Sequence, residues 1–449
     1  MEIPSVQINL DYFVQLGQLP VPELFWRLFL DGGWVLAVFI ALNAVWLNFT
    51  ARRAAQYAAT VTYTMLSVQV SGASEQTPKA MEHIFSQLAS VHSSLTWWEE
   101  KIEGKFNPKF SFEFVSIDGT VHFYVRTPSK YRDLVESAIY SQYSDAEVAE
   151  ISDYTLNVPE VFPDPEWDLT GTEYALKKHW AYPIRTYPEF EHNVAEQKFK
   201  DPLVGIFESL NLLKLGEQLW MQILLTPAAD SWHEGAAEMV GKLTGKKVTP
   251  KKGLMDTVTE QTMAWPKAII EQATGVGFSA VPPEKAKEEK DKKLTPGESK
   301  VLEAVQLKLA KHGFGVKVRV VYVARRGVFN KNRLFGIKGA MNQFGSIDMN
   351  AFKTVGAVTP KPGGLFSRGQ EGRMKQSLYR AYRGRSGSGS AAYYLNTEEL
   401  ATIYHLPALD VRAPLIKKND AKRSEPPVNL PTADLYETPI IGAGVVEEE

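Results

Sequence analysis

The residues with chemistry to offer in this chain are cations, and they are gathered in one block. Between Lys308 and Arg385 stand seventeen Lys and Arg residues and only two acids, Asp348 and Glu371, a net charge of +15 over 78 residues. Arg325, Arg326, Lys331, Arg333 and Lys338, then Arg368, Arg373, Lys375, Arg380, Arg383 and Arg385, interleave with Phe329, Phe335, Phe366, Tyr379 and Tyr382. Cations at this density favour phosphate oxygens, either of nucleic acid or of anionic lipid head groups. The plainer reading is charge pairing, with the chain's own acidic remainder or with an acidic partner. Residues 1–307 carry a net −12 and residues 386–449 a net −5, so the overall −2 is a cancellation.

Other chemistries lack their residues. The chain has no cysteine, which excludes disulfide frameworks, thiolate metal sites and cysteine nucleophiles. The nearest approach to a phosphate-cradling GxxxxGK[ST] loop, Gly235 to Leu243, has five intervening residues, ends in Leu and lies on a helical pattern. The eight histidines show no HExxH spacing. Gly384-Arg385-Ser386-Gly387-Ser388 lacks the final glycine of a nucleophile elbow. His122, on a strand beside Phe123 and Tyr124, reads as a packed or surface side chain. No enzyme activity, cofactor or metal is expected.

The elements that must position the block follow from periodicity. A length of 449 residues suggests two or three domains. Thr62–Val70 is β-rich, and Thr77-Pro78 opens a helix with Met81, Ile84, Phe85 and Leu88 on one face. Phe110–Ile117 and Thr120–Arg126 are strands joined by Asp118-Gly119, a hairpin signal. Ser129–Tyr143 is helical and Ala146–Ile151 a short strand, which completes a β-α-β-β-α-β, ferredoxin-like order over residues 56–155. A second α+β unit over 165–355 has strands at Thr172–Lys177, Gln218–Leu225, Val316–Ala324 and Ser346–Phe352, and helices at Asp201–Leu213, Gly297–Lys311 and Asn330–Phe344. Its insertion holds helical pieces at Ser231–Leu243 and Leu254–Ala273 and a charged linker near 282–295. The alternation of Val316–Ala324 predicts one solvated basic face. Residues 356–449 read as a basic Gly-rich segment, flexible at Arg383–Ser390, then a short helix at Thr397–His405 and a Pro-rich tail.

At the N-terminus, Gly32–Phe49 is eighteen residues without a charge, slightly short of a bilayer span. Trp34, Phe39 and Trp46 lie along it, and Arg52 and Arg53 follow at once. Residues 1–31 hold one basic residue, Arg27. The positive-inside bias then puts the bulk of the chain in the cytoplasm. Residues 1–55 thus read as an anchor, with Asn9–Leu30 an interfacial helix leading into a single-pass transmembrane helix; the alternative is a buried core helix. The fold class expected is α+β: a transmembrane helix followed by tandem ferredoxin-like units, the second with a helical insertion.

Glu75–Phe85, Phe112–Pro128, Leu134–Tyr140 and Asp145–Glu147 resemble the N-terminal regions of bacterial type IV secretion and conjugative DNA-transfer ATPase-related membrane proteins. So do Asp201–Leu203, Gly216–Trp220 and Leu395–Pro407, and the resemblance covers most of residues 60–430. In longer relatives the segment like Leu395–Pro407 leads into a RecA-like motor; here 42 residues follow Pro407, so ATP hydrolysis is not carried over. The resemblance implies a membrane-tethered accessory module that docks a separately encoded motor ATPase, gathers DNA or scaffolds a channel. The alternative is a membrane-tethered nucleic-acid-binding protein unrelated to secretion. The partners to expect are a lipid bilayer, that ATPase, DNA or anionic lipid, and further copies of the chain.

Overall fold

A computed structural model of the chain describes residues 19–30, 34–70, 76–191, 201–244, 294–361 and 369–407. The sequence-stretch readings at Leu254–Ala273, the linker near 282–295 up to residue 293, Arg368 and the Pro-rich tail lie outside the described residues.

Nine strands form one antiparallel sheet: β1 (Tyr63–Gln69), β2 (Phe110–Ile117), β3 (Thr120–Pro128), β4 (Glu147–Ile151), β5 (Trp167–Leu176), β6 (Glu217–Pro227), β7 (Gly313–Arg325), β8 (Phe352–Thr354) and β9 (Tyr393–Asn396). The path β4-β1-β3-β2 is the strand order of one β-α-β-β-α-β unit, and β8-β5-β7-β6 repeats it. The two units meet where β2 pairs with β6, from Phe110 opposite Leu225 to Ile117 opposite Gln218. β9 joins the free part of β7. Asp118 and Gly119 both take positive φ, 54° and 86°, so the β2–β3 turn twists with its strands.

Helix α1 (Val21–Leu28) and helix α2 (Trp34–Thr60) precede the sheet. One sheet face is covered by α3 (Pro78–Ala89), α4 (Arg132–Gln142) and α5 (Val204–Asn211). Two short helices, α6 (Ala237–Thr244) and α7 (Pro296–Leu309), border the insertion between β6 and β7. Helices α8 (Arg333–Asn342) and α10 (Thr397–Ile403) complete that layer. Its core is aromatic: Phe114 stacks on Tyr404 at 4.5 Å and meets Phe207 edge-on at 5.4 Å. The opposite face is covered by α9 (Gln370–Arg383), whose Leu378, Tyr379 and Tyr382 pack against Trp220, Val321 and Leu169.

The expected transmembrane helix is corrected. No helix among the described residues is long and apolar enough to cross a membrane. Helix α2 breaks its apolar run with Asn43, Asn48 and Thr50 and carries on through Arg52 and Arg53 to Thr60. Its C-terminal turns dock on the folded unit instead, where Tyr57 meets Phe106 edge-on at 5.1 Å, and at mid-helix the part-exposed Trp46 stacks on Trp97 at 6.1 Å. Gly104, at φ 74°, caps the π-helical turn Glu99–Glu103 and lies so close to the Arg53 backbone that a Cβ would collide with it. Of the other residues expected in the anchor, Trp34 and Phe39 are exposed, and Arg53 lies over Phe49 at 5.4 Å.

Candidate functional site

Most of the basic block is held by the chain's own acids. Arg333 grips Glu217 through two nitrogens, at 3.0 and 2.8 Å. Lys375, buried, bonds Asp168 at 2.7 Å and Glu371 at 3.1 Å. Lys331 reaches Glu371 at 3.6 Å, Arg383 reaches Glu160 at 2.9 Å, and Arg326 lies 3.8 Å from Asp168. Arg325 rests over Trp167 at 5.7 Å. Lys338, Arg373 and Arg380 are exposed and have no ion pair among the described residues. Arg373 and Arg380, two turns apart on α9, share one face of that helix.

Arg385 is different: its side chain is 2% exposed and it anchors a buried ionic network. Its fork reaches the Glu113 carboxylate at 3.0 and 3.1 Å and also bonds Asp153. Glu113 further accepts from Ser111 at 2.5 Å, Tyr154 at 2.8 Å and Gln222 at 3.0 Å. Tyr154 and Tyr382 share a hydroxyl hydrogen bond of 2.8 Å. Burial works to raise the Glu113 pKa, but the Arg385 charge and these donors outweigh it and hold the group below the ordinary carboxylate range. Burial likewise opposes the charged form of Arg385, yet Glu113 and Asp153 raise its pKa well above the usual guanidinium value.

Cross-strand register arranges this polar end into two rows. Tyr124, Glu113, Gln222, Arg319 and Glu173 are successive partners across β3, β2, β6, β7 and β5. The adjacent row is Arg126, Ser111, Leu224 and Lys317. Arg319 bonds Glu173 at 2.6 Å and the Ala381 carbonyl at 3.0 Å. Lys317 donates to the carbonyls of Gly387 at 2.7 Å, Ser388 at 2.9 Å and Ser390. The Ser390 amide and hydroxyl each donate to Glu173 at 2.6 Å. The segment Arg383–Ser390, read from its composition as flexible, is therefore pinned by buried charges. The face of β7 read as solvated is buried, Lys317 at 3% and Arg319 at 0% exposure. Period-two alternation marks a polar face, but a covering loop that supplies carbonyls and carboxylates makes burial tolerable.

Beside the network, under the C-terminal turns of α2, lies a cleft of about 460 Å³. Its floor is Arg126, Ser111 and Leu224, and its walls are Ala54, Ala58, Phe106, Lys109 and the Gly384–Gly387 loop. Sequence reasoning missed Lys109 and Arg126. Each is a lone cation beside apolar strand residues, and only the register of β2 and β3 brings them to one place. Among the described residues no cluster of His, Asp and Glu has the arrangement of a metal site. This end of the sheet, with Lys109 and Arg126 on the cleft, can recognise an anion.

A comparison with curated proteins finds no match. A family model does match residues 52–419, from the docked turns of α2 through the sheet, its helices and the pinned loop. The chain belongs to the family described as a domain of unknown function, DUF8128.

Proposed function

We propose that the protein is a non-catalytic scaffold component of a DNA-transfer machine of the type IV secretion or conjugation kind. In this reading helix α2 carries the surface that docks another component, either the separately encoded motor ATPase or a second copy of the chain. The observation that carries the reading is the exposed part of α2. Val35, Phe39, Ile40, Leu42, Val45 and Leu47 are each between 54% and 67% exposed, around the whole helix, while its foot is clamped to the sheet unit. A contiguous exposed apolar surface marks an interaction site. The sequence resemblance supplies the kind of machine. The test is DNA transfer in cells that carry the machine and express Phe39→Glu with Leu42→Glu. Transfer is expected to fall at least about ten-fold, as when a central apolar contact is lost, with the variant's abundance unchanged. Unchanged transfer would overturn the reading.

A second reading, nucleic-acid binding, is favoured by the exposed Arg373 and Arg380 on one face of α9. If it holds, DNA affinity of the full chain falls steeply with salt, and Arg373→Ala with Arg380→Ala reduces the slope by about 2. A flat salt response removes it.

A further inference from the structure

The charges at the polar end of the sheet do not balance. Among the described residues, its carboxylates are Glu113, Asp153 and Glu173, and each is already engaged: the first two by Arg385, the third by Arg319 and Ser390. The cations at the same end are Lys109, Arg126, Lys317, Arg319 and Arg385. The end therefore carries a net +2, and because Arg385 takes two of the three carboxylates, Lys109, Arg126 and Lys317 are left without a carboxylate in hydrogen-bond contact. Lys317 is satisfied by three carbonyls of the covering loop. Lys109 and Arg126 have no hydrogen bond or ion pair among the described residues. Each has only an aromatic face, Arg126 over Tyr63 at 3.8 Å and Lys109 over Phe106 at 5.1 Å.

Both are half-buried, and both line the same cleft, whose lining contains no acid. Burial is the main cause that lowers the pKa of each, and a neighbouring arginine adds to it, Arg319 for Lys109 and Arg385 for Arg126. Tyr63, Glu113 and Asp153 pull Arg126 the other way without outweighing burial, the two carboxylates from beyond ion-pair distance. Partly buried cations without a counter-charge are costly, and a folded protein ordinarily supplies one. A cation–π contact offsets part of the desolvation but leaves the charge uncompensated.

We propose that this cleft binds a phosphate group, held between Lys109 and Arg126. The cleft suits the ligand in three ways. Its volume lies within the range of small-ligand sites. Arg126 offers a planar fork and Lys109 a compact point charge, the two donors that phosphate oxygens accept from best. The wall opposite, Gly384 to Gly387, contributes no acid and passes close to the ammonium, a Cβ at Gly387 standing 3.8 Å from Lys109 Nζ in ordinary contact. The phosphate is either free in solution or the head group of a lipid. The site stands independently of the scaffold reading, since it draws on neither the apolar part of α2 nor the exposed face of α9.

The experiment uses the full chain at fixed ionic strength, with inorganic phosphate as the probe and chloride as the control. Thermal unfolding is followed while phosphate is titrated. A saturable rise in Tm with phosphate, absent with chloride, is expected. Lys109→Met and Arg126→Met should each weaken the apparent phosphate affinity at least about ten-fold, the loss of one charge-assisted contact. Far-UV circular dichroism checks that the variants fold. Lys109 precedes β2 and makes no ladder pair, so its variant decides the outcome if Arg126→Met does not fold. An equal phosphate response in the wild type and Lys109→Met, or no response in the wild type, would overturn the site. Co-sedimentation with phosphatidylcholine vesicles, with and without phosphatidic acid, then assigns the source. Binding that requires phosphatidic acid and Lys109 identifies a lipid head group, and a phosphate response without vesicle binding identifies a soluble phosphate.

Discussion

Glu113 sits where β2, the loop after α9 and the segment after β4 converge, and it is fully buried. Replacing it with Gln leaves Arg385 with Asp153 as its only carboxylate and removes charge from a site that four donors have organised around an anion. Breaking a buried pair from one side costs about 3 kcal/mol or more. Glu113→Gln is expected to lower the unfolding free energy by that amount, read as a lower urea midpoint with an unchanged slope. The same carboxylates set the acid limit of the fold. Glu113, Asp153, Glu173 and Glu217 all have pKa values below their ordinary ones, each against an opposing effect of burial. Their contribution is fully present above the unfolded carboxylate value of about 4.3 and is lost as pH falls through the folded values. Glu399 runs the other way, because burial raises its pKa despite Lys308 beside it. Unfolding midpoints measured from pH 7 downward should therefore hold to about pH 5 and collapse below 4; a midpoint unchanged at pH 3 would contradict this. None of these roles was legible in the sequence. Glu113 is one acid in the apolar run FSFEFVSI, and its value depends on Arg385, which lies 272 residues away.

At the scale of elements, one junction depends on a glycine conformation. Gly104 is at positive φ and touches the Arg53 backbone, so it fixes how the foot of α2 meets the sheet unit. Gly104→Ala adds a Cβ where backbone already stands and strains a left-handed residue, at a cost of about 1–3 kcal/mol. The expected outcome is faster amide exchange over residues 52–60, with exchange in β2 and β3 unchanged. Equal protection in both segments would show that the foot is held elsewhere. Helix starts and turns were the most legible features. Pro78 stands in the first turn of α3 and Asp118-Gly119 makes the hairpin, while Thr295, read as the end of the charged linker, forms a capping box with Glu298. Each depends on neighbours within four residues. Helix α9 was not read, because its glycine-rich flanks and high charge hide an apolar stripe of Leu378, Tyr379 and Tyr382. Strand β9 is four residues long and forms only because β7 extends past β5.

The strands of the described residues form one sheet, and its two halves share more than an edge. β2 pairs with β6 along its full length, Arg385 after the second unit reaches Glu113 in the first, and Tyr382 bonds Tyr154. The described core is therefore expected to unfold as one unit, with intrinsic fluorescence and far-UV circular dichroism giving coincident urea transitions. Two separated transitions would mean that the units fold independently. By itself the sequence determined the α+β class, the order of most strands and helices, and the local turns and caps, because these depend on periodicity and on residues close in the chain. It also determined that positive charge is concentrated between Lys308 and Arg385. Only the tertiary structure decided what that charge does. It places Arg333, Lys375 and Arg385 against acids from distant strands and leaves Arg373 and Arg380 in solvent; outside the block, it isolates Lys109 and Arg126 in a cleft. The physical reason is that a charge is satisfied or left wanting by whatever lies within a few ångströms, and strand register, not sequence distance, sets those neighbours.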